Sequence, residues 1–435
     1  MSNVAGTALH DLTASQALRL IKARKLSSEE LVTACLARIE AREPTVAAWS
    51  WLDPQRALEQ ARRCDAAEPA GLLHGVPLGI KDMTDTADMP TAYGSRAWQG
   101  HTPARDATCV TLIRNAGGVV LGKTVTPEFG VGAPGSTSNP LDHTRTPGGS
   151  SSGSAAAVAD RMVPLATGTQ TAASVIRPAS FCGLVGYKPT TGLLSLDGCK
   201  GVAETLDCLG TLARTLEDTR LFRDALLGAA APSAIPALDG PPRLAFCRSP
   251  LWHLADEGAR SAVENLISTL SRQGANIAEL DLPAEYAEMP GHFAKIVGFE
   301  LQRTTAYEWN AAPEALSTAI RDLHKAEQPT SLADYLAARQ AVHRLRRAAE
   351  SLFATADAII TLGVRGEAPV GLGSTGDPSL NVIWQVLGLP ALNLPLMTGP
   401  AGMPIGLQLI GRPFGDDALF AVARSLLDRL GRSDL

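Results

Sequence analysis

The chain has 435 residues, 45% of them hydrophobic and 19% charged, the balance of an ordinary globular protein rather than a fibrous or disordered one. A net charge of −5 argues against a nucleic-acid partner, because phosphate binding needs a concentrated basic surface. No apolar run approaches the roughly 18 to 20 residues required to cross a bilayer, so no membrane partner is expected.

Two helices are expected to open the chain. Thr13 and Gln16 form a capping box ahead of Ala17, Leu18, Leu20 and Ile21, and Ser27 and Glu30 form another ahead of Leu31, Cys35, Leu36 and Ile39. Pro44 is expected to end the second helix. Residues 76–80 read as an apolar strand. A helix follows, opened by Asp106, carrying Val110, Leu112 and Ile113, and stopped by Gly117 and Gly118; a β-branched strand at 119–121 comes next. Residues 130–210 are dense in Gly, Ser and Thr. Buried-looking apolar runs at 155–158, 163–166 and 184–187 interrupt them, so glycine and serine here let backbone pack tightly around a ligand rather than forming a linker.

Residues 231–242, rich in Ala, Pro and Ser, read as a surface crossing. The segment 231–356 reads as a helix-rich insertion or substrate-side region, with a strand at 244–247, a helix near 259–271 and one long helix at 331–353. The basic residues Arg344, Arg346 and Arg347 fit a solvated helix face. Strands return at 358–362, 391–396 and 406–410 before a last helix at 416–430. With no internal repeat and no clean break, one α/β domain over residues 1–435 is expected. Residues 1–10 lack a leader pattern, and the seven scattered cysteines form no C-x-x-C pair, so a reduced, cytoplasmic protein is expected.

Three familiar patterns occur by chance. The run from Gly117 to Thr124 fits the phosphate-loop expression, but its spacer Val-Val-Leu is a strand. The run from Gly130 to Gly135 fits G-x-G-x-x-G, but Ser136 to Pro140 cannot start the required helix. Gly149-Ser-Ser151-Ser-Gly153 fits a nucleophile elbow around Ser151, but residues 142–147 are polar where a strand is needed, and His253, His292, His324 and His343 have no clear partner. No histidine spacing suits a metal, and neither metal nor cofactor is expected. Serine chemistry without histidine needs another base. A lysine serves only when uncharged, and burial is the physical way to lower its pKa from about 10.4. Lys81, at the end of an apolar strand, has that setting. Asp82 beside it would hold it charged unless strand alternation turns the two apart.

Gly75-Val-Pro-Leu-Gly-Ile-Lys81-Asp82, Gly148-Gly-Ser150-Ser-Ser-Gly153-Ser154 and Ser174-Val-Ile-Arg177-Pro178 together resemble the amidase signature family. Phe181-Cys-Gly-Leu-Val-Gly-Tyr-Lys-Pro189 and Gly406-Leu-Gln-Leu-Ile-Gly411 extend the likeness, which runs from about Thr13 to Leu430 and is weakest over 231–356. The resemblance implies a large mixed β-sheet covered by helices on both faces. It implies a Ser–cis-Ser–Lys triad: Ser174 as nucleophile, Ser150 after a cis bond, and neutral Lys81 as base. The backbone N–H groups of Thr171, Ala172, Ala173 and Ser174 would face the oxyanion, with Ser151, Gln170 and Arg177 in support and Arg177 ordering the loop. The implied substrate is a small-molecule amide, hydrolysed through an acyl-enzyme; a homodimer is compatible with this reading.

Two departures stand out. Gln170 replaces the usual Asp, and Ala172–Ala173 replace Gly–Gly, which is tolerable only where φ stays negative or nearly so. Gln170 resembles the small-substrate, malonamidase-like branch. The alternatives are the glutamine-hydrolysing subunit of a tRNA-dependent amidotransferase, a serine esterase of α/β-hydrolase type using Ser151, and an inactive binding protein. Gln170, the alanine pair and a short chain after the triad count against the amidotransferase. The walls of the substrate pocket are expected from 130–134, 291–310 and 371–381.

Overall fold

The computed structural model describes residues 3, 4 and 7–435. Strands β1 (Asn3–Val4) and β2 (Thr7–Ala8) pair as a small antiparallel ribbon. The main sheet begins with β3 (Trp49–Leu52), β4 (Pro77–Lys81), β5 (Val119–Thr124), β6 (Leu165–Gln170), β7 (Val185–Lys188) and β8 (Cys208–Ala213). It continues with β9 (Arg243–Phe246), β10 (Asn276–Glu279), β11 (Ala358–Leu362), β12 (Ala391–Thr398) and β13 (Pro404–Ile410).

The spatial order is β10-β9-β11-β13-β12-β7-β8-β6-β4-β5-β3. Two parallel groups, β10-β9-β11 and β6-β4-β5, lie either side of an antiparallel middle, so the sheet is mixed. Helices cover both faces. Along β5, Val119 and Leu121 pack with the helices Ser28–Val46 and Ser152–Ala159, while Val120 packs with Thr108–Asn115 and Leu216–Leu226 on the other face. That alternation is the period-two signature of a strand buried on both sides.

Both predicted capping boxes are present, at Thr13 with Gln16 and at Ser27 with Glu30. Pro44 does not end the second helix, which runs to Val46. Its missing N–H weakens the last turn without preventing it, and the stop comes from Ala47 in the left-handed region at φ +50. Asp106 does not cap the next helix; Ala107 precedes Thr108, and Asp106 instead accepts from the Ala87 N–H at 2.8 Å and pairs with Arg114 at 2.9 Å. The expected strand at 119–121 extends to Thr124. Its polar end, Lys123 and Thr124, is buried because Lys123 donates to the Thr84 carbonyl and, at 2.8 Å, to Thr91 Oγ1. The expected long helix at 331–353 is Leu332–Ala348 followed by a tighter turn, Ala349–Phe353. Residues 231–356 are helix-rich and also supply β9 and β10 to the sheet. No helix among the described residues is long and apolar enough to cross a membrane.

The helix Ser152–Ala159 (Ser-Gly-Ser-Ala-Ala-Ala-Val-Ala) is buried nearly all round, and its small side chains let it lie close to the sheet. Gly153 is the tightest point: a Cβ there would overlap the Ala48 carbonyl oxygen and the Val125 amide nitrogen, both backbone. Gly153→Ala is therefore expected to destabilise the protein by about 3 kcal/mol through overpacking. Urea denaturation measures this, and an unchanged midpoint would refute the close approach.

Candidate active site

Lys81 is the last residue of β4, and no part of its side chain reaches solvent. Its backbone N–H donates to Thr167 Oγ1 at 2.9 Å, and its Nζ lies 2.7 Å from Ser150 Oγ and 2.8 Å from Thr169 Oγ1. Thr167 and Thr169 sit two apart on β6 and so share a face. Lys81 forms no ion pair among the described residues. Asp82 points the other way, toward Lys123 at 3.7 Å, and accepts from the Ala92 N–H. Strand alternation thus separates the two neighbours, as a neutral Lys81 requires. Burial pulls the Lys81 ammonium down to about 7; the Asp207 carboxylate and Cys199 oppose that shift without reversing it.

Ser150 follows a cis peptide bond from Gly149. Gly148, at φ +81, supplies the turn before it; a Cβ there would come within 2.9 Å of Pro178 Cα. Arg177 holds this loop from below. Its Nε and Nη2 donate to the Gly149 carbonyl at 3.2 and 2.7 Å, its Nη1 to the Gly376 carbonyl at 2.6 Å, and Nη2 also to Thr375 Oγ1 at 3.1 Å. Ser151 joins the loop to its neighbours: its N–H donates to the Ser174 carbonyl at 3.2 Å, and its hydroxyl meets the Thr169 backbone. Its side chain is fully buried, so the Ser151 esterase reading fails on access as well as on fold.

β6 ends at Gln170, and the turn from Thr171 to Ser174 leads into the helix Ile176–Phe181. Gln170 braces that turn. Its Oε1 accepts from the N–H groups of Val175 and Ile176 at 2.9 and 3.0 Å. A carboxylate would accept the same two bonds; the amide adds a donor, and Nε2 places it on Gln385 Oε1 at 2.9 Å. Gln385 is fixed in turn by donating to the Leu206 carbonyl at 2.5 Å. Neither Ala172 nor Ala173 takes a positive φ, so the alanine pair sits in the turn without strain. Among the described residues, nothing accepts from the N–H groups of Thr171 to Ser174.

Ser174 lines a cleft of about 250 Å³ with Gly130, Val131, Gly132, Thr171, Ala172, Phe293, Val297, Thr375 and Pro378 among its neighbours. All three segments expected to form the walls contribute. The structure brings Lys81 and Ser150 into hydrogen-bond contact. Ser174 meets the same loop through its carbonyl, and no hydrogen bond joins its hydroxyl to Ser150. Sequence reading missed Thr167, Thr169, Gln385 and Asp207. Thr-x-Thr inside the apolar strand Leu165–Gln170 was a legible signal for the first two. Asp207, pushed up to about 6 by burial, accepts from Thr171 Oγ1 at 2.5 Å and from the Val202 and Ala203 N–H groups, contacts no local pattern announces. Among the described residues, no group of three or more His, Cys, Asp or Glu is placed to hold a metal.

Comparisons with known proteins identify the class. The family model described as Amidase matches residues 30–420, and the chain belongs to that family, the amidase signature enzymes. They hydrolyse amide C–N bonds, and this protein is an amidase of that class. The A subunit of glutamyl-tRNA(Gln) amidotransferase from Anaeromyxobacter sp. (strain K) is 34% identical over 94% of both chains. Its counterpart from Chloroflexus aggregans is 32% identical over 96% of both. The chain therefore spans nearly the whole length of these relatives, and a short C-terminal part does not distinguish it from them. A crystal structure of an amidase superposes with a TM-score of 0.88 at 27% identity, covering 96% of this chain and 100% of that one. Native peptide amidase from Stenotrophomonas maltophilia gives 0.79 at 27% identity, covering 96% and 97%.

Gln170→Glu tests the brace. The two accepted bonds survive, but the new oxygen faces Gln385 Oε1, and Gln385 cannot turn without releasing Leu206. A loss of about 1 to 3 kcal/mol is expected from burying two unpaired acceptors. Chemical denaturation reads it, and wild-type stability would show that the amide pair is not needed.

Proposed function

We propose that the protein hydrolyses a small-molecule carboxamide through an acyl-enzyme on Ser174, with Ser150 and uncharged Lys81 as the proton relay. The observation that carries this reading is Lys81: fully buried, without an ion pair, its Nζ 2.7 Å from Ser150 Oγ. A neutral amine there has a lone pair for the Ser150 proton while its own hydrogens go to Thr169. Ser150 then takes the proton of Ser174, and Ser174 attacks the carbonyl carbon. The oxyanion develops against the free N–H groups of Thr171, Ala172, Ala173 and Ser174. The relay returns a proton to the departing amine, and water, activated the same way, releases the acid. Arg177, Gln170 and Ser151 position the two serines and take no proton.

A second reading, the glutamine-hydrolysing subunit of a tRNA-dependent amidotransferase, is favoured by the relatives at 30 to 34% identity. Turnover of simple amides by the purified chain, without partner or ATP, supports the first reading; turnover only with added partner proteins supports the second.

Treatment with phenylmethylsulfonyl fluoride and peptide mapping should place the label on Ser174. Label on Ser150 or Ser151 instead would sink the assignment of the nucleophile.

The pH profile tests the base. Lys81 works only when deprotonated, so kcat/KM should rise with pH through about 7 and stay level into mildly alkaline conditions. Lys81→Ala should lose several orders of magnitude in turnover. Lys81→Arg should fail as badly, because a guanidinium stays charged. Substantial activity in Lys81→Arg would make Lys81 a structural cation.

A further inference from the structure

The cleft beside Ser174 also constrains the acyl group. Resting on the reading of Ser174 as the acylated residue, we infer that the substrate is an uncharged carboxamide whose acyl part is a single apolar unit about the size of one substituted phenyl ring. Amides of amino acids and dicarboxylic acids are excluded.

The walls of the cleft are largely apolar side chains. Val131, Val202, Phe293, Val297 and Pro378 face the space, and the Ala172 methyl takes up room beside Ser174 that a glycine would leave open. An apolar cavity on the order of 150 Å³ takes benzene, and pockets for drug-sized ligands begin near 300 Å³. At about 250 Å³ this cleft has room for one ring and its carboxamide, with little to spare.

Among the described residues no carboxylate lines the cleft, so an α-ammonium would lose its water without gaining an anion. The nearby acids are already engaged: Asp207 by Thr171, Val202 and Ala203, and Glu128 by Ser95 and Ser317. Among the described residues, Arg177 is the one cation in the lining. It already makes four donations, to Gly149 twice, Gly376 and Thr375. Of five guanidinium N–H groups one remains, so an entering carboxylate would not find the paired donors by which arginine normally grips it. Lys200 and Glu204 line a neighbouring cavity that shares only Thr171 and Val202 with the cleft.

The experiment measures ammonia release from benzamide, phenylacetamide and isobutyramide against L-glutamine, malonamate and succinamate. Neutral amides should lead the charged ones in kcat/KM by about 100-fold, the discrimination expected when a charge must be buried unpaired. Phe293→Ala should shift the preference toward naphthylacetamide by about tenfold, and Val297→Ala in the same direction, since each removes wall volume. Equal or better turnover of malonamate or glutamine, abolished by Ser174→Ala, would overturn this inference and leave the serine chemistry standing. An unshifted preference in both wall variants would overturn the assignment of the walls. No hydrolysis of any amide would overturn both this inference and the proposed function.

Discussion

An amine sealed inside a protein with no anion beside it is the constraint from which the rest of this site follows. Among the described residues three lysines are buried in the sheet, and each is treated differently. Lys123 keeps a carboxylate, Asp82, within reach. Lys188 donates to the carbonyl of its neighbour Pro189 at 2.7 Å. Lys81 meets hydroxyl groups from Ser150 and Thr169, which solvate it without neutralising it. Because its pKa is lowered on folding, the unfolded chain binds the extra proton between about 7 and 10.5. Stability from this group therefore improves as pH rises through that window and is lowest, and constant, below it. Holding an uncharged amine costs the fold something at neutral pH, which is consistent with a functional rather than a structural lysine.

The two serines are kept in place by polar groups that are almost fully occupied. Gln170 and Gln385 form a pair in which every amide oxygen and most N–H groups have a partner, so the turn carrying Ser174 is fixed from beneath. Arg177 performs the same service for the loop carrying Ser150. In a buried setting such networks rigidify when satisfied and cost heavily when half satisfied, which ties the geometry of both serines to the integrity of the helix Ser379–Val386 and the loop around Thr375.

Much of this was legible in the sequence, and unevenly. The capping boxes and the strands ending at Lys81 and Ile410 follow local rules: a polar residue, a fixed offset, an apolar run. Lys81 and the serines stood out because glycine, serine and an apolar strand recur in one order. What escaped were cross-chain contacts. Nothing near Gln385 in sequence predicts that it meets Gln170, 215 positions away. Lys123 hid the true end of β5 because a lysine normally signals solvent, and only its distant oxygen partners make burial tolerable. Pro44 misled for the opposite reason: a proline's local effect was real, but the last helical turn absorbed it.

The source of the cleft's walls has an evolutionary side. The proposed proton relay and oxyanion turn come from residues 81–174, threaded through the central strands, whereas Phe293, Val297, Thr375 and Pro378 are contributed by segments far downstream. Change at Phe293 and Val297 can therefore remodel what enters with little effect on how it is cut, whereas change at Thr375 also reaches the Ser150 loop through Arg177, and drift in the upstream block would be checked by loss of turnover. A lineage built this way would diversify by exchanging its rim and inheriting its engine. Divergence concentrated in 291–300 would then mark changes of diet among its descendants rather than changes of chemistry.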